Sequence, residues 1–232
     1  MGAVPLLAFG ACGDDDGAAA NTAGCNAWIA ADSALIGFLF MDQGDADSVN
    51  ASLDAVIAVA PEELKTTVSE LKTEAQPSLI DPETEGSERT NELYRKAITW
   101  TGDNCDVETI DVTAKDYKYE GVSASLKAGY HVINFANEGT EAHEMFTFRI
   151  NDGVTETLEE IFEVPEEEIF TKITPVNAAF ALPGAADTSS WNLATPGKYV
   201  SVCFIPQGSV GETEGSGAPH FTHGMIHEFT VA

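Results

Sequence analysis

Residues 193–232 read "LATPGKYVSVCFIPQGSVGETEGSGAPHFTHGMIHEFTVA", and this stretch decides the fold. Pro196-Gly197 makes a turn, and "KYVSVCFI" behind it is rich in β-branched and aromatic residues, the composition of a strand. "IHEFTVA" alternates apolar and polar side chains and ends the chain as a second strand. Between the two lies a glycine-rich loop bounded by Cys203 on one side and by His220 and Met225 on the other. Either this is a metal loop, or it is a surface loop that happens to end in "HFTHGM". The rest of the chain has to decide between them.

Upstream, the strand pattern extends back to about Asp106. "ETIDVTAKDYKYEG" alternates, "SASLKAGYHVINFANEG" does so again, and "HEMFTFRI" is a third run. "VTETLEEIFEVPEEEIFTKI" returns to helical spacing, which predicts a helical insertion at about 153–173. Short strands at regular spacing imply a β-sandwich over 106–232. Residues 25–105 read differently. Val49, Leu53, Val56 and Ile57, then Leu64, Val68 and Leu71, recur at helical intervals, and Pro61-Glu62-Glu63 is a helix start. "AWIAADSALIGFLFM" and "SERTNELYRKAITW" supply a first and a last helix, with "QPSLIDPETEG" as a loop before the last. The expectation is an α+β multidomain chain: a small antiparallel bundle followed by a β-sandwich. The bundle contains no histidine, which excludes a Glu-x-x-His di-iron site there.

The chain has 232 residues, with 38 acidic against 11 basic side chains and a formal charge of −27. Such a surface repels nucleic-acid backbones and anionic lipid; its plainest role is solubility, outside the cytoplasm or in salty surroundings, and it also suits a cationic partner. No run of eighteen apolar residues predicts a membrane-spanning helix. The start, "MGAVPLLAFGACGDDDGAAANTAG", resembles the end of a bacterial lipoprotein signal peptide, which implies lipidation of Cys12 and a flexible tether up to residue 24. That placement is extracytoplasmic, on the outer face of a bacterial membrane. With Cys12 used, three cysteines remain. The economical pairing is Cys25 with Cys105, at the two ends of the helical region, which leaves Cys203 free for chemistry.

Three local patterns now give the sandwich a family. "AGYHVINFANEGTEAHEMFTF" is similar to the strand, Asn-x-Gly turn and first ligand histidine of the cupredoxins, the plastocyanin- and azurin-like blue-copper proteins. "LATPGKYVSVC" resembles their strand leading to the ligand cysteine, and "PHFTHGMIHEFTV" their closing His…Gly-Met segment. The resemblance implies a Greek-key topology for the sandwich, and copper held by His143, Cys203, His220 and Met225. A thiolate and two imidazoles in a plane, with a long thioether contact, suit both Cu(I) and Cu(II). It also implies one-electron transfer with an unidentified redox partner, with His220 at the solvent edge.

Two departures stand out. Sixteen residues, Phe204 to Pro219, separate the cysteine from the second histidine, where the family has only a few. Glu144 follows the first histidine where many members carry asparagine. The long loop either bulges outward or removes His220 from the site. Each candidate also has a plainer role: Cys203 as a buried small hydrophobe, His143 as a turn cap, Met225 as core filler. His223 reads as a rim residue, and His131 and His227 as structural or exposed. The alternatives to an electron carrier are a non-redox cupredoxin-like binding module and a copper capture or delivery protein. No Gly-x-Ser-x-Gly, His-Glu-x-x-His or phosphate loop points to an enzyme.

Overall fold

The computed structural model describes residues 15–41, 43–81, 84, 86–211 and 213–232. Helices come first: α1 (Asp15–Met41), α2 (Ala46–Val59), α3 (Glu62–Glu74), α4 (Gln76–Ile80) and α5 (Glu88–Asn104). Their starts follow local chemistry. The Asp45 carboxylate accepts the Ser48 N–H at 2.7 Å, and the Ser87 hydroxyl accepts the Thr90 N–H at 3.0 Å, each satisfying an amide that the helix leaves unpaired. Glu62 and Glu63 open α3 at its positive end. Two expectations are corrected here. Residues 15–24, read as tether, belong to α1, because this alanine-rich stretch forms helix despite its two glycines. Gln76–Ile80, read as loop, forms one helical turn, with Pro77 at a position that tolerates proline. Cys12 lies outside the described residues.

The strands are β1 (Glu108–Lys115), β2 (Lys118–Glu120), β3 (Ser125–Leu126), β4 (Gly129–Asn137), β5 (His143–Ile150), β6 (Ile173–Ala181), β7 (Ala186–Leu193), β8 (Gly197–Val202) and β9 (Ile226–Val231). One sheet has the order β2-β1-β4-β7 and the other β3-β9-β8-β5-β6. The chain passes repeatedly between the sheets, giving a Greek-key sandwich. Two short helices, α6 (Leu158–Glu163) and α7 (Glu166–Lys172), interrupt the path from β5 to β6. The sequence reading assigned no strand to β6 or β7.

Burial explains why several strands lack clean alternation. Ile133 and Phe135 of β4 face the sandwich interior with Ile110, Val112, Trp191, Tyr199 and Phe229. Tyr130 and Val132, on the other face of β4, belong to the helical core with Trp28, Leu53, Leu71 and Ile98. The opposite sheet is covered in the same way: Val200 and Val202 pack with Phe148, Leu158 and Ile161 under α6. The molecule is therefore a stack of helices, sheet, sheet and short helices, and the bundle shares its core with the sandwich. Asn21–Met41 is long and apolar enough to cross a membrane by length and composition alone. Within the fold, however, its Trp28, Ala31 and Leu35 are core residues.

A polar network ties the layers together. Asp32 of α1 is buried and accepts hydrogen bonds from the hydroxyls of Tyr94 (2.6 Å), Tyr130 (2.9 Å) and Ser190 (2.7 Å). The Asn177 amide donates to Tyr94 and Ser190. A disulfide links Cys25 to Cys105 across 80 residues, joining α1 to the end of α5. Closing a loop of this size removes unfolded-state entropy worth about 4 kcal/mol. Replacing both cysteines with alanine should lower the unfolding free energy, measured in urea, by about that amount.

Burial raises the pKa of Asp32, and its three hydroxyl donors only partly offset this. The folded chain thus holds this proton more tightly than the unfolded one. The stabilisation is complete below the unfolded pKa and is lost as pH rises through the folded value. Asp32→Asn cannot titrate. The stability of the wild type relative to this variant should therefore fall as pH is raised from about 4 to about 8. Urea denaturation of both proteins across that range checks the sign.

Candidate metal centre

Strand register places the first two donors. His143 is the first residue of β5, which pairs with β8, and Cys203 directly follows β8. The third comes from the long loop. Pro206 bridges Pro219, and the Gln207 N–H donates to the Ala218 carbonyl at 3.0 Å, so the insertion is pinched at its base. It bulges outward and returns His220 to the site. A 3₁₀ turn, His220–His223, follows and ends at Gly224, whose φ of 101° requires glycine. The loop then locks onto itself. The Phe221 N–H donates to the Cys203 carbonyl (2.9 Å), the Met225 N–H to the His220 carbonyl (3.1 Å), and the Cys203 N–H to the Met225 carbonyl (3.2 Å).

His143, Cys203, His220 and Met225 are all fully buried. One ligand atom from each of His143, Cys203 and His220 lies within 4.8 Å of the other two. The two Nδ1 atoms are 3.2 Å apart, and His220 Nδ1 is 3.3 Å from Cys203 Sγ. Donors on metal bonds of about 2 Å in a trigonal plane stand roughly 3.5 Å apart, so this spacing fits one ion. Met225 lies in the core cluster that also holds Cys203 and Met145.

The outer nitrogens identify the tautomers. His143 Nε2 is 2.7 Å from Asp116 Oδ1, and His220 Nε2 is 3.0 Å from Glu141 Oε2. Burial raises the pKa of Asp116, but hydrogen bonds from Thr140 and His143 outweigh it and hold the carboxyl below its ordinary value. Burial likewise opposes ionisation of Glu141, and the Gly208 N–H, the Tyr117 hydroxyl and the His220 ring outweigh it. Burial depresses the pKa of His143, so its ring is neutral. An ionised carboxylate only accepts hydrogen bonds, so each ring carries its proton on Nε2. Both Nδ1 atoms then point inward, toward each other and toward Cys203 Sγ, the side on which a metal ion would be held.

The surroundings hold these rings tightly. A Cβ on Gly139 would lie 2.4 Å from Asp116 Oδ1 and 2.6 Å from His143 Nε2, so only glycine fits beside this pair. The Glu144 N–H donates to Cys203 Sγ at 3.5 Å, and the Glu144 carboxylate accepts the Phe204 N–H at 2.8 Å. Glu144 thus binds next to the cysteine, in the place expected for asparagine, and burial raises its pKa.

The sequence reading is corrected at one point: His220 is buried and does not form a solvent edge. His223 is exposed, and His131 and His227 lie in β4 and β9. Asp116, Glu141 and Tyr117 were missed. No local pattern marks two functional carboxylates among 38 acids, although the Asn137-Glu-Gly-Thr-Glu141 turn leading to His143 was a usable pointer. A cleft of about 590 Å³ lies elsewhere, between α1, α5 and β6–β7, and contains none of the donors.

No protein-family model and no curated protein matches the chain. Among solved structures it is similar to a dithionite-reduced auracyanin from Roseiflexus castenholzii, with 20% identity over 53% of this chain and 96% of that one and a TM-score of 0.35. It is similar to auracyanin A from Chloroflexus aurantiacus, described as a "blue" copper protein, with 15% identity over 53% and 98% and a TM-score of 0.34. Rusticyanin from Thiobacillus ferrooxidans shares 16% identity over 55% and 80%, with a TM-score of 0.34. The fold described above rests on strand order and burial.

Burial pushes the Cys203 thiol up to about 12, with only partial relief from the Glu144 and Ile205 amides. In the metal-free folded protein Cys203 should therefore resist a disulfide-exchange reagent at neutral pH and react promptly once urea unfolds the chain. A thiol titration with and without denaturant measures this.

Proposed function

We propose that the chain is a copper-binding one-electron carrier. The observation behind this reading is the buried convergence of two imidazole Nδ1 atoms and one cysteine sulfur. His143, Cys203 and His220 would supply the strong donors, with Met225 as the weak thioether contact of such sites. Copper, when bound, supplies the one-electron couple. The protein supplies a donor set that suits both oxidation states and is locked by backbone hydrogen bonds, so little has to move when the charge changes. Asp116 and Glu141 orient the rings and place negative charge beside the cation. No substrate bond is made or broken.

The carrier reading fits better than copper capture or delivery, because full burial of all four residues leaves no open side for ligand exchange. An extracytoplasmic place agrees with the Cys25–Cys105 disulfide, since such bonds persist in oxidising compartments. The apolar start ending at Cys12 suggests attachment to a bacterial membrane by lipid. The charge of −27 favours a cationic redox partner.

The full chain, loaded with one equivalent of Cu(II), should show an intense visible thiolate-to-copper band that ascorbate bleaches and air or ferricyanide restores. Cys203→Ser should lose the band entirely, and His220→Ala should weaken copper binding at least tenfold, a loss of about 1.4 kcal/mol or more. A colourless wild-type protein, with the Cys203 thiol still titratable after unfolding, would point instead to a non-redox binding module.

A further inference from the structure

In a carrier whose ligand rings are sealed from water, the electron must pass through something else. Both ligand imidazoles are fully buried, and both outer nitrogens are occupied by carboxylates. One ring bridges this interior to the surface. Tyr117 lies with its centroid 4.7 Å from that of His220 and 6.4 Å from that of His143. It also lies 5.2 Å from the ring of His223, inclined by 34°, and His223 is exposed. The Tyr117 hydroxyl donates to Glu141 Oε1 at 2.9 Å and accepts from Gln207 Nε2 at 2.9 Å. The Gly208 N–H donates to the other oxygen of the same Glu141 carboxylate. Gln207 and Gly208 lie in the sixteen-residue insertion, just beyond its pinched base. The insertion thus clamps Tyr117 over His220 and holds the carboxylate that orients that ring.

We propose that Tyr117 and His223 form the electron port of this protein, and that the face around them docks a cationic partner. The proposal rests on the carrier reading above. Electron tunnelling falls off steeply across gaps and is favoured through packed atoms. The stack His220–Tyr117–His223 provides continuous ring contact from a buried donor to solvent. The carboxyl groups of Asp116 and Glu141 lie next to it, and the whole molecule is strongly acidic, with 38 acidic against 11 basic side chains. A complementary positive surface would be steered to it. In the step itself one electron leaves the reduced centre and a one-electron oxidant gains it. A second aromatic cluster beside the cysteine, Phe204, Phe221 and Phe162, reaches α6, where Glu163 is exposed, and it provides the competing route.

The test has two arms on the full chain. Without metal, proton NMR with a neutral gadolinium chelate should broaden the ring signals of His223 and Tyr117 and leave those of His143 and His220 sharp. Broadening of His220 equal to that of His223 would overturn the proposal. With copper bound and reduced, stopped-flow oxidation by tris(phenanthroline)cobalt(III), which takes one electron to become cobalt(II), reads the port. Tyr117→Leu should slow this oxidation severalfold at a matched potential, and Tyr117→Phe should restore it. A Tyr117→Leu protein as fast as the wild type or faster would mean that Tyr117 is a shield. Gln207→Glu should react faster than Gln207→Lys, by roughly tenfold at low salt. Glu163→Lys, an equal two-unit step in charge on α6, should leave the rate unchanged, and an effect there matching that at Gln207 would move the port to the phenylalanine cluster. If no bleachable band forms at all, it is the carrier reading that has failed. A bleachable band with an inert Tyr117 sinks the port alone.

Discussion

The register of β8 between β5 and β9 is the constraint on which the centre depends. Val202 pairs with Phe146 on one side and with Ile226 on the other. The next residue, Cys203, therefore leaves the sheet beside the start of β5 and the end of the ligand loop. Side chains alternate faces along a strand, so a slip of one residue would turn the cysteine from the sandwich interior toward the α6 side. Such a slip is opposed from both faces. Tyr199 is held in the central core, Val200 and Val202 are held in the core beneath α6, and the Ser201 hydroxyl bonds to Thr147 at 2.8 Å. The donors are thus positioned by packing that needs no metal.

That packing also decides how much of the molecule could be read from its sequence. Strands with one wet face alternate and were legible, as β1 and β9 show. β6 and β7 were not. In β6 the buried positions after Ile173 are Pro175, Asn177, Ala179 and Ala181, which carry little hydrophobic signal. In β7, Ser189 and Ser190 are buried one on each face, the first bonding to the Ala178 carbonyl and the second to Asp32. A hydrophilic pattern there reflects hydrogen bonding between layers rather than exposure. The sequence treated the helical region as a unit of its own, and periodicity could not reveal that it shares a core with Tyr130 and Val132.

The site divides in the same way. His143, Cys203, His220 and Met225 were legible because donors of these chemical types fall at the ends of recognisable strands. Asp116, Glu141 and Tyr117 were not, because each reaches the histidines from a turn or loop whose path only the folded chain reveals. Solvent exposure was misread for a related reason. A second histidine near the end of a loop looks exposed, and only the return of the insertion over Glu141 and Tyr117 makes it buried.

Two duties divide that insertion. Just beyond the Pro206–Pro219 bridge, Gln207, Gly208 and Ser209 bond to Tyr117, Glu141 and Ala142 and so serve the site. Further out, Val210 and Thr213 pair with each other in their backbone bonds, and the Val210 side chain is half exposed. The tip is therefore a grafting site, where recognition sequences can be exchanged without disturbing the ring of donors, because added length costs only slowly increasing closure entropy. A lineage or a designer could retarget such a protein to a new partner by rewriting a few residues there, while the chemistry beneath is inherited unchanged.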